Sequence, residues 1–211
     1  MAITLPKELK DAISNLPSKE KDKLIFRLLK KDIALANQLL FELVSTQSVE
    51  EARKEIKKEL TRFIERTTFQ FYSPGYLNWD VREMSGAINK YISITKDKYG
   101  EISLNLYMIT EVLERNQENI MKATPKKAYK FCTAVIARAF KILLLIKKMH
   151  EDYQVDFNDD LEKFGQLISG TPYLMEAAIN NGFDVNWLIS GEIPDDIEKI
   201  HKEIRQKGFL K

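Results

Sequence analysis

The feature that most constrains this chain is a long apolar segment, residues 124–153, with the sequence TPKKAYKFCTAVIARAFKILLLIKKMHEDY. The pair Thr124-Pro125 is typical of a helix start, because threonine caps helices and proline fits the first helical position. Neither glycine nor proline occurs in the 28 residues that follow. A helix this apolar has to be covered on most of its sides. We therefore expect segment 124–153 to form the central helix of a folded core.

The rest of the chain shows helical periodicity and can supply that cover. Ser48 and Glu51 form a capping box, which predicts a helix start, and Ser73-Pro74-Gly75 predicts a turn. Gly86 indicates close packing inside a helix, whereas Gly100 is typical of a helix end. Helices are predicted over residues 5–16, 18–32, 33–44, 48–69, 77–99 and 101–122, followed by shorter ones between 158 and 207. The fold class is thus all-α, an antiparallel helical array of five long helices plus several short C-terminal helices.

Length and composition favour one domain in the cytoplasm. A chain of 211 residues suits a single helical domain, 1–211, with a subdivision into an array (1–153) and a C-terminal subdomain (154–211) as the alternative. One cysteine excludes an internal disulfide. The N-terminus lacks a signal-peptide pattern. The longest apolar run has five residues, whereas a membrane span needs about 20, so no membrane partner is expected.

No motif in the sequence indicates catalysis. His150 and His201 each lie near carboxylates, but both occur in polar surroundings that are typical of a surface. Cys132 lies among apolar residues, where a thiol packs as a small hydrophobic group. Clustered residues with metal-ligand spacing and glycine-rich phosphate loops are missing from the sequence. The sequence therefore predicts no catalytic residue, no cofactor and no metal site.

Charge is distributed unevenly along the chain. Residues 124–150 carry seven basic and no acidic side chains, whereas residues 151–211 carry six basic and 13 acidic ones. On a helix, five cations of the central segment fall within about 80° of one another, because the α-helix has 3.6 residues per turn. We call these five residues the basic stripe: Lys127, Lys130, Arg138, Lys141 and Lys148.

Two interpretations of the basic stripe compete. In one, the stripe lines an open groove and binds an acidic peptide or the phosphates of a nucleic acid. In the other, it pairs with the acidic C-terminal segment. Pairing is favoured, because a charge run is usually a solvated or internally paired face. The candidate carboxylates are those of Asp156, Asp159, Asp160, Glu162, Glu176 and Asp184.

An aromatic corner offers a second candidate surface. Five aromatic residues occur between 69 and 79, around the Ser73-Pro74-Gly75 signal. Tyr72, Tyr76 and Trp79 could contact a partner, because exposed tyrosine and tryptophan are common interface anchors. Packing of these rings where two long helices meet is the favoured interpretation, since clustered aromatic residues more often build cores.

The order of several segments resembles a family of uncharacterised, all-helical bacterial proteins. The segments are LPKELKD, EKDKLIFRLLKKD, EARKEIKKEL and AINKYISITKD, followed by the long apolar helix. The resemblance covers most of residues 5–180 and implies an antiparallel helical array from a bacterial cytoplasm; it implies no activity, ligand or functional residue. Separately, NWLISGE at 186–192 is similar to the tail of repressor-type helix-turn-helix domains.

Taken together, these patterns predict a non-enzymatic scaffold for protein–protein interaction. An all-helical array without catalytic motifs most simply binds a protein or peptide partner in a groove between helices. The alternative is binding of nucleic acid or another polyanion through the basic stripe. The pattern predicts neither the identity of the partner nor the oligomeric state.

Overall fold

A computed structural model describes residues 4–211, and these form helices joined by short connections, without a β-strand. The prediction of an all-α helical array is confirmed. No helix within 4–211 is both long and apolar enough to span a lipid bilayer. The helices are α1 (Lys7–Ser14), α2 (Ser18–Leu29), α3 (Ile33–Leu43), α4 (Val49–Phe69), α5 (Pro74–Thr95), α6 (Lys98–Met121), α7 (Pro125–Lys147), α8 (Glu151–Gln154), α9 (Asn158–Ser169), α10 (Pro172–Asn180), α11 (Asn186–Ile189) and α12 (Ile197–Gln206), with a 3-10 turn at Val155–Phe157.

The chain divides into two compact units. The smaller unit comprises residues 4–48 with 93–95, and the larger comprises residues 49–92 with 96–211. This boundary differs from the subdivision at residue 153 that the sequence suggested, because segment 154–211 belongs to the same unit as α4, α6 and α7. The reason is that α9 and α10 pack on α6 and α7.

In the smaller unit, helices α1 to α3 bury no residue. Large apolar side chains such as Phe26, Ile33 and Leu43 are exposed by 61%, 73% and 76%. The break between α2 and α3 occurs at Asp32, whose side chain accepts a hydrogen bond from the Leu35 amide at 3.0 Å. Because no residue of 4–48 belongs to the hydrophobic core, this unit contributes little buried surface of its own.

The larger unit is built around α6 and α7, which have more buried residues than any other helices in the described chain. Helix α4 runs parallel to α6, since Arg53 bonds to Asp97 near their starts and Thr68 to Asn116 further along. Helix α7 runs antiparallel to α6, since Lys141 meets Glu101. The expectation that segment 124–153 is central therefore holds for its helical part, with α6 as an equal partner.

The C-terminal segment closes the core through aromatic contacts. The Phe140 ring on α7 lies 4.8 Å from Phe183 and 6.0 Å from Trp187, between ring centroids. Leu188 beside Trp187 is fully buried. The short helices after residue 157 are thus held on α7 and α6 by packing, as the apolar positions of segment 154–211 require.

The junction between α5 and α6 differs from the prediction. Helix α5 begins at Pro74, capped by Ser73, and ends at Thr95. Asp97 then caps α6, accepting a hydrogen bond from the Gly100 amide at 2.9 Å. A Cβ atom on Gly100 would lie 2.0 Å from Asp97 Oδ2. Gly100 therefore permits a close approach in the first turn of α6 rather than ending a helix.

Two further predictions about helices were wrong. Segment 124–153 does not form one helix, because α7 ends at Lys147 and His150 caps the separate helix α8. Gly86 does not mark close packing, since it is exposed and a Cβ atom there would meet nothing within 4 Å.

Candidate cationic binding groove

Helices α5 and α7 border a groove of about 680 Å³. Helix α5 contributes four polar residues at positions i, i+4, i+7 and i+11, and this spacing places them on one face of the helix. From α7 the groove receives positions between the second and fifth turns, on the side of the helix that faces α5. We call this site the cationic groove; its lining is Asn78, Arg82, Ser85, Asn89, Tyr129, Lys130, Thr133, Ala134, Ala137, Arg138, Lys141, Leu210 and Lys211.

The charge of the cationic groove has a single sign. Its lining includes five cations and neither aspartate nor glutamate: Arg82, Lys130, Arg138, Lys141 and Lys211. Ala134 and Ala137 leave space on the α7 side of the groove, because their side chains are only methyl groups. The site is therefore a concave surface that attracts anions.

Arg138 is the least solvated cation of the groove. Burial lowers the pKa of its guanidinium to about 10. Its Nη1 donates a hydrogen bond to the Asn105 side-chain oxygen at 2.9 Å. Within the described chain no carboxylate lies within ion-pair distance of Arg138. The positive charge is thus held in place by an amide that does not neutralise it.

Two neighbouring groups complete the electrostatics of the site. Lys141 Nζ lies 3.2 Å from Glu101 Oε1 on α6, so its charge is partly balanced from outside the lining. The Thr133 hydroxyl is buried and, within residues 4–211, has no hydrogen-bond partner. A buried hydroxyl without a partner is costly.

The structure divides the basic stripe. Lys130, Arg138 and Lys141 line the groove, whereas Lys127 is exposed beside it. Lys148 lies beyond the groove, with its Nζ 3.2 Å from Glu198 Oε1. The stripe is therefore not one uniform surface.

Pairing with the C-terminal segment occurs only at one end of α7 and uses carboxylates that the sequence analysis did not name. Lys147 pairs with Asp195 at 2.6 Å, and Lys148 pairs with Glu198. In the described chain the six predicted carboxylates do not pair with the stripe: Asp156, Asp159, Asp160, Glu162, Glu176 and Asp184. All six are exposed. For the four on α9 and α10 the reason is that these helices turn their apolar faces to the core and their acidic faces to solvent: Asp159, Asp160, Glu162 and Glu176.

Sequence reasoning missed the part of the groove that α5 supplies. Four polar residues recur at helical spacing in the sequence: Asn78, Arg82, Ser85 and Asn89. This pattern indicates a polar helix face, but it does not indicate what the face meets. That this face lies opposite the basic stripe depends on how α5 packs, through its buried residues Leu77, Val81, Met84, Ile88 and Tyr91.

Of the five residues of the aromatic corner, Phe71 is partly buried against the hydrophobic core and the other four are exposed. Tyr72, Tyr76 and Trp79 are 79%, 57% and 63% exposed, contrary to the favoured interpretation of the sequence. The Tyr72 and Tyr76 rings meet edge to face with their centroids 4.9 Å apart, beside a cavity of about 230 Å³. The three residues do not line the cationic groove, and their role as a partner surface stays a prediction.

The remaining candidates for chemistry lie apart from the groove. Burial raises the pKa of the Cys132 thiol to about 12. Burial, and secondarily the charge of Arg205, lowers the pKa of His201, whose ring lies 5.3 Å from that of Phe140. His150 is exposed, with Nδ1 3.2 Å from Asp152 Oδ2. Over residues 4–211 the structure has no group of three or more histidine, cysteine, aspartate or glutamate side chains that could hold a metal ion.

Comparison of the chain with protein-family models, with curated proteins and with solved structures found no match. The resemblance to a bacterial helical family and the local likeness of 186–192 to helix-turn-helix domains therefore stay predictions.

Proposed function

We propose that this protein is a non-enzymatic binding scaffold that holds an acidic segment of a protein partner in the cationic groove. The observation that carries the proposal is the lining: five basic side chains and no acidic side chain surround a cavity of about 680 Å³ between two helices. A groove between helices is a recurring site for peptide recognition. Uniform charge in such a groove selects partners of the opposite sign.

The dimensions suit a short peptide. The lining on α7 runs from Tyr129 to Lys141, which corresponds to about 18 Å at 1.5 Å per residue. An extended chain advances about 3.3 Å per residue. The groove therefore accommodates about five residues of an extended segment.

The polar lining suits a main chain as well as carboxylates. Asn78 and Asn89 carry amides that both donate and accept hydrogen bonds, which complements the N–H and C=O groups of an extended peptide. Arg138 uses one of its five N–H donors on Asn105. Its remaining donors can form a charge-assisted, two-point contact with a carboxylate, and such contacts are stronger than neutral hydrogen bonds.

Nucleic acid fits the groove less well. Single strands bind in basic channels where successive bases stack on aromatic rings, and Tyr129 is the only aromatic residue among the groove's lining residues. The chain as a whole carries a net charge of +2 and has a pI of about 8.4, below the pI above 9 that is typical of a nucleic-acid-binding domain. We therefore favour an acidic peptide and leave nucleic acid as an outcome of the test.

The test is fluorescence anisotropy with a labelled peptide of about eight residues in which glutamate alternates with serine. We expect binding at low salt, weakening as salt rises, and no binding of a peptide with glutamine in place of glutamate. The variant Arg82→Glu/Lys130→Glu should weaken binding at least about 10-fold, which corresponds to about 1.4 kcal/mol.

The matched control is Lys54→Glu/Lys58→Glu, which makes the same change in net charge on exposed positions of α4, outside the groove. This variant should bind the peptide as the wild type does. Equal losses in both variants would mean that overall charge, not the groove, governs binding. Tighter binding of an oligothymidine than of the acidic peptide, lost in the groove variant alone, would replace the peptide proposal with nucleic-acid binding.

A further inference from the structure

A second cavity adjoins the cationic groove at the N-terminal end of α7. It has a volume of about 300 Å³ and lies between α7 and α10. Tyr129, Cys132, Tyr173 and Ala177 form its walls, and four exposed residues complete its lining: Pro125, Lys126, Glu176 and Asn180. We call this cavity the apolar pocket.

The apolar pocket is neutral where the groove is charged. The Cys132 thiol is protonated and buried, so it behaves as a small hydrophobic group. The Tyr173 hydroxyl donates a hydrogen bond to the Ala123 carbonyl at 3.2 Å, which leaves the ring itself as a wall. The small side chain of Ala177 leaves the space open. Such walls favour an apolar occupant over a charged one.

Tyr129 joins the two cavities. Its side chain lines both the cationic groove and the apolar pocket, and it is 52% exposed. One ligand can therefore contact the cations of α7 and, across the Tyr129 ring, enter the pocket. Lys126 and Glu176 offset each other in charge, so the pocket adds no electrostatic preference of its own.

We propose that the apolar pocket receives one apolar side chain of the acidic segment that the groove binds, so that the recognised motif is an apolar anchor residue next to a run of carboxylates. This inference rests on the proposed function and adds the specificity of the site. The volume of about 300 Å³ is at the small end for ligand sites, which suits a single leucine- or phenylalanine-sized side chain.

The spacing of the motif follows from α7. Lys130 directly follows Tyr129, and Arg138 and Lys141 come nine and twelve residues after it. At 1.5 Å per helical residue these positions lie about 13 and 18 Å along the helix. An extended peptide covers these lengths in about four and five residues. Carboxylates should therefore occur within about five residues of the anchor.

The experiment uses the full chain and peptides of equal charge. All three contain the same glutamate–serine octapeptide. The first carries an added leucine at its N-terminal end, the second carries an added leucine at its C-terminal end, and the third carries an added alanine at both ends. Anisotropy should show one of the leucine peptides binding about 10- to 100-fold more tightly than the alanine peptide, which is the effect of burying one large apolar side chain. Equal affinity of all three peptides would overturn the inference.

Alanine-methyl NMR separates failure of the inference from failure of the proposed function. Ala134 and Ala137 report on the groove, and Ala177 reports on the apolar pocket. The favoured leucine peptide should shift all three signals, and the alanine peptide only the first two. If every peptide shifts the signals of Ala134 and Ala137 but not that of Ala177, the apolar anchor is refuted and binding in the groove stands. No shift of Ala134 or Ala137 would refute the groove itself.

A filled pocket gives an independent check. Ala177→Leu should abolish the advantage of the leucine peptide over the alanine peptide. Should this variant unfold, Asn180→Trp at an exposed lining position provides the same test. A leucine advantage that persists in a folded, filled variant would contradict the assignment of the pocket.

Discussion

The ion pair between α4 and α6 provides the sharpest test of how the larger unit is held together. Arg53 donates two hydrogen bonds to the Asp97 carboxylate, at 2.6 and 2.9 Å. Asp97 also accepts from the Tyr91 hydroxyl at 2.7 Å and from the Gly100 amide at 2.9 Å. The Asp97 side chain is 5% exposed, whereas that of Arg53 is 26% exposed. We predict that Arg53→Met destabilises the larger unit strongly.

The magnitude follows from what the substitution leaves behind. Removing one partner of a buried pair costs about 3–5 kcal/mol, because the other charge stays buried without compensation. Arg53 is partly exposed, and Tyr91 and Gly100 still donate to Asp97. We therefore expect a loss near the lower limit, about 3 kcal/mol in the free energy of unfolding. Asp97→Asn should cost less, about 2 kcal/mol, because asparagine still caps α6.

The pH dependence has a defined sign. Burial opposes ionisation of Asp97, but the hydrogen bonds from Arg53, Tyr91 and Gly100 outweigh it, so the pKa of this carboxyl is lowered. A carboxyl whose pKa is lower in the folded than in the unfolded state stabilises the fold above about pH 4 and loses this contribution as the pH falls. The difference in stability between wild type and Arg53→Met should therefore shrink in acid.

Urea denaturation followed by tryptophan fluorescence is the assay. Both tryptophans, Trp79 and Trp187, lie in the larger unit, so the signal reports on it alone. Lys58→Met, at an exposed position of α4, is the control and should change stability by less than about 0.5 kcal/mol. A loss below about 1 kcal/mol for Arg53→Met, or a difference from wild type that does not begin to shrink as the pH falls below about 4, would refute the reasoning.

Four other outcomes are expected. Gly100→Ala should lower the free energy of unfolding, measured by urea denaturation, by at least about 2 kcal/mol, because its Cβ would lie 2.0 Å from Asp97 Oδ2. Gly86→Ala should raise the free energy of unfolding by up to about 1 kcal/mol, because its Cβ would meet nothing within 4 Å. A chain of residues 46–211 should keep the melting temperature of the full chain within about 3 °C, because no residue of 4–48 belongs to the core; a larger fall would show that the N-terminal helices support the core. Cys132 should resist a thiol reagent in the native protein and react in urea, because the thiol is buried and its pKa is raised to about 12; fast native labelling would contradict this.

The sequence by itself determined the helices and their faces. Pro125 and Pro172 stand at the first positions of α7 and α10, where sequence signals placed them. The cations of α7 share one side, because the helical period is a local property of the chain. Burial of Cys132 likewise followed from apolar neighbours nearby in the sequence.

Only the tertiary structure decided what each face meets. The sequence favoured pairing of the basic stripe with the acidic C-terminal segment over an open groove, but formal charge carries no information about distance. Packing of α9 and α10 through apolar faces directs their carboxylates to solvent, while α5 brings Arg82 to the same groove as Lys130 and Arg138.

Glycine shows the same division between local and long-range information. The sequence predicted close packing for Gly86 and a helix end for Gly100, yet Gly86 faces open space and Gly100 lies against the buried carboxylate of Asp97. That carboxylate is held by Arg53, 44 residues earlier in the chain. Neighbours so distant in sequence are set by how whole helices pack, and the period of a single helix carries no information about them.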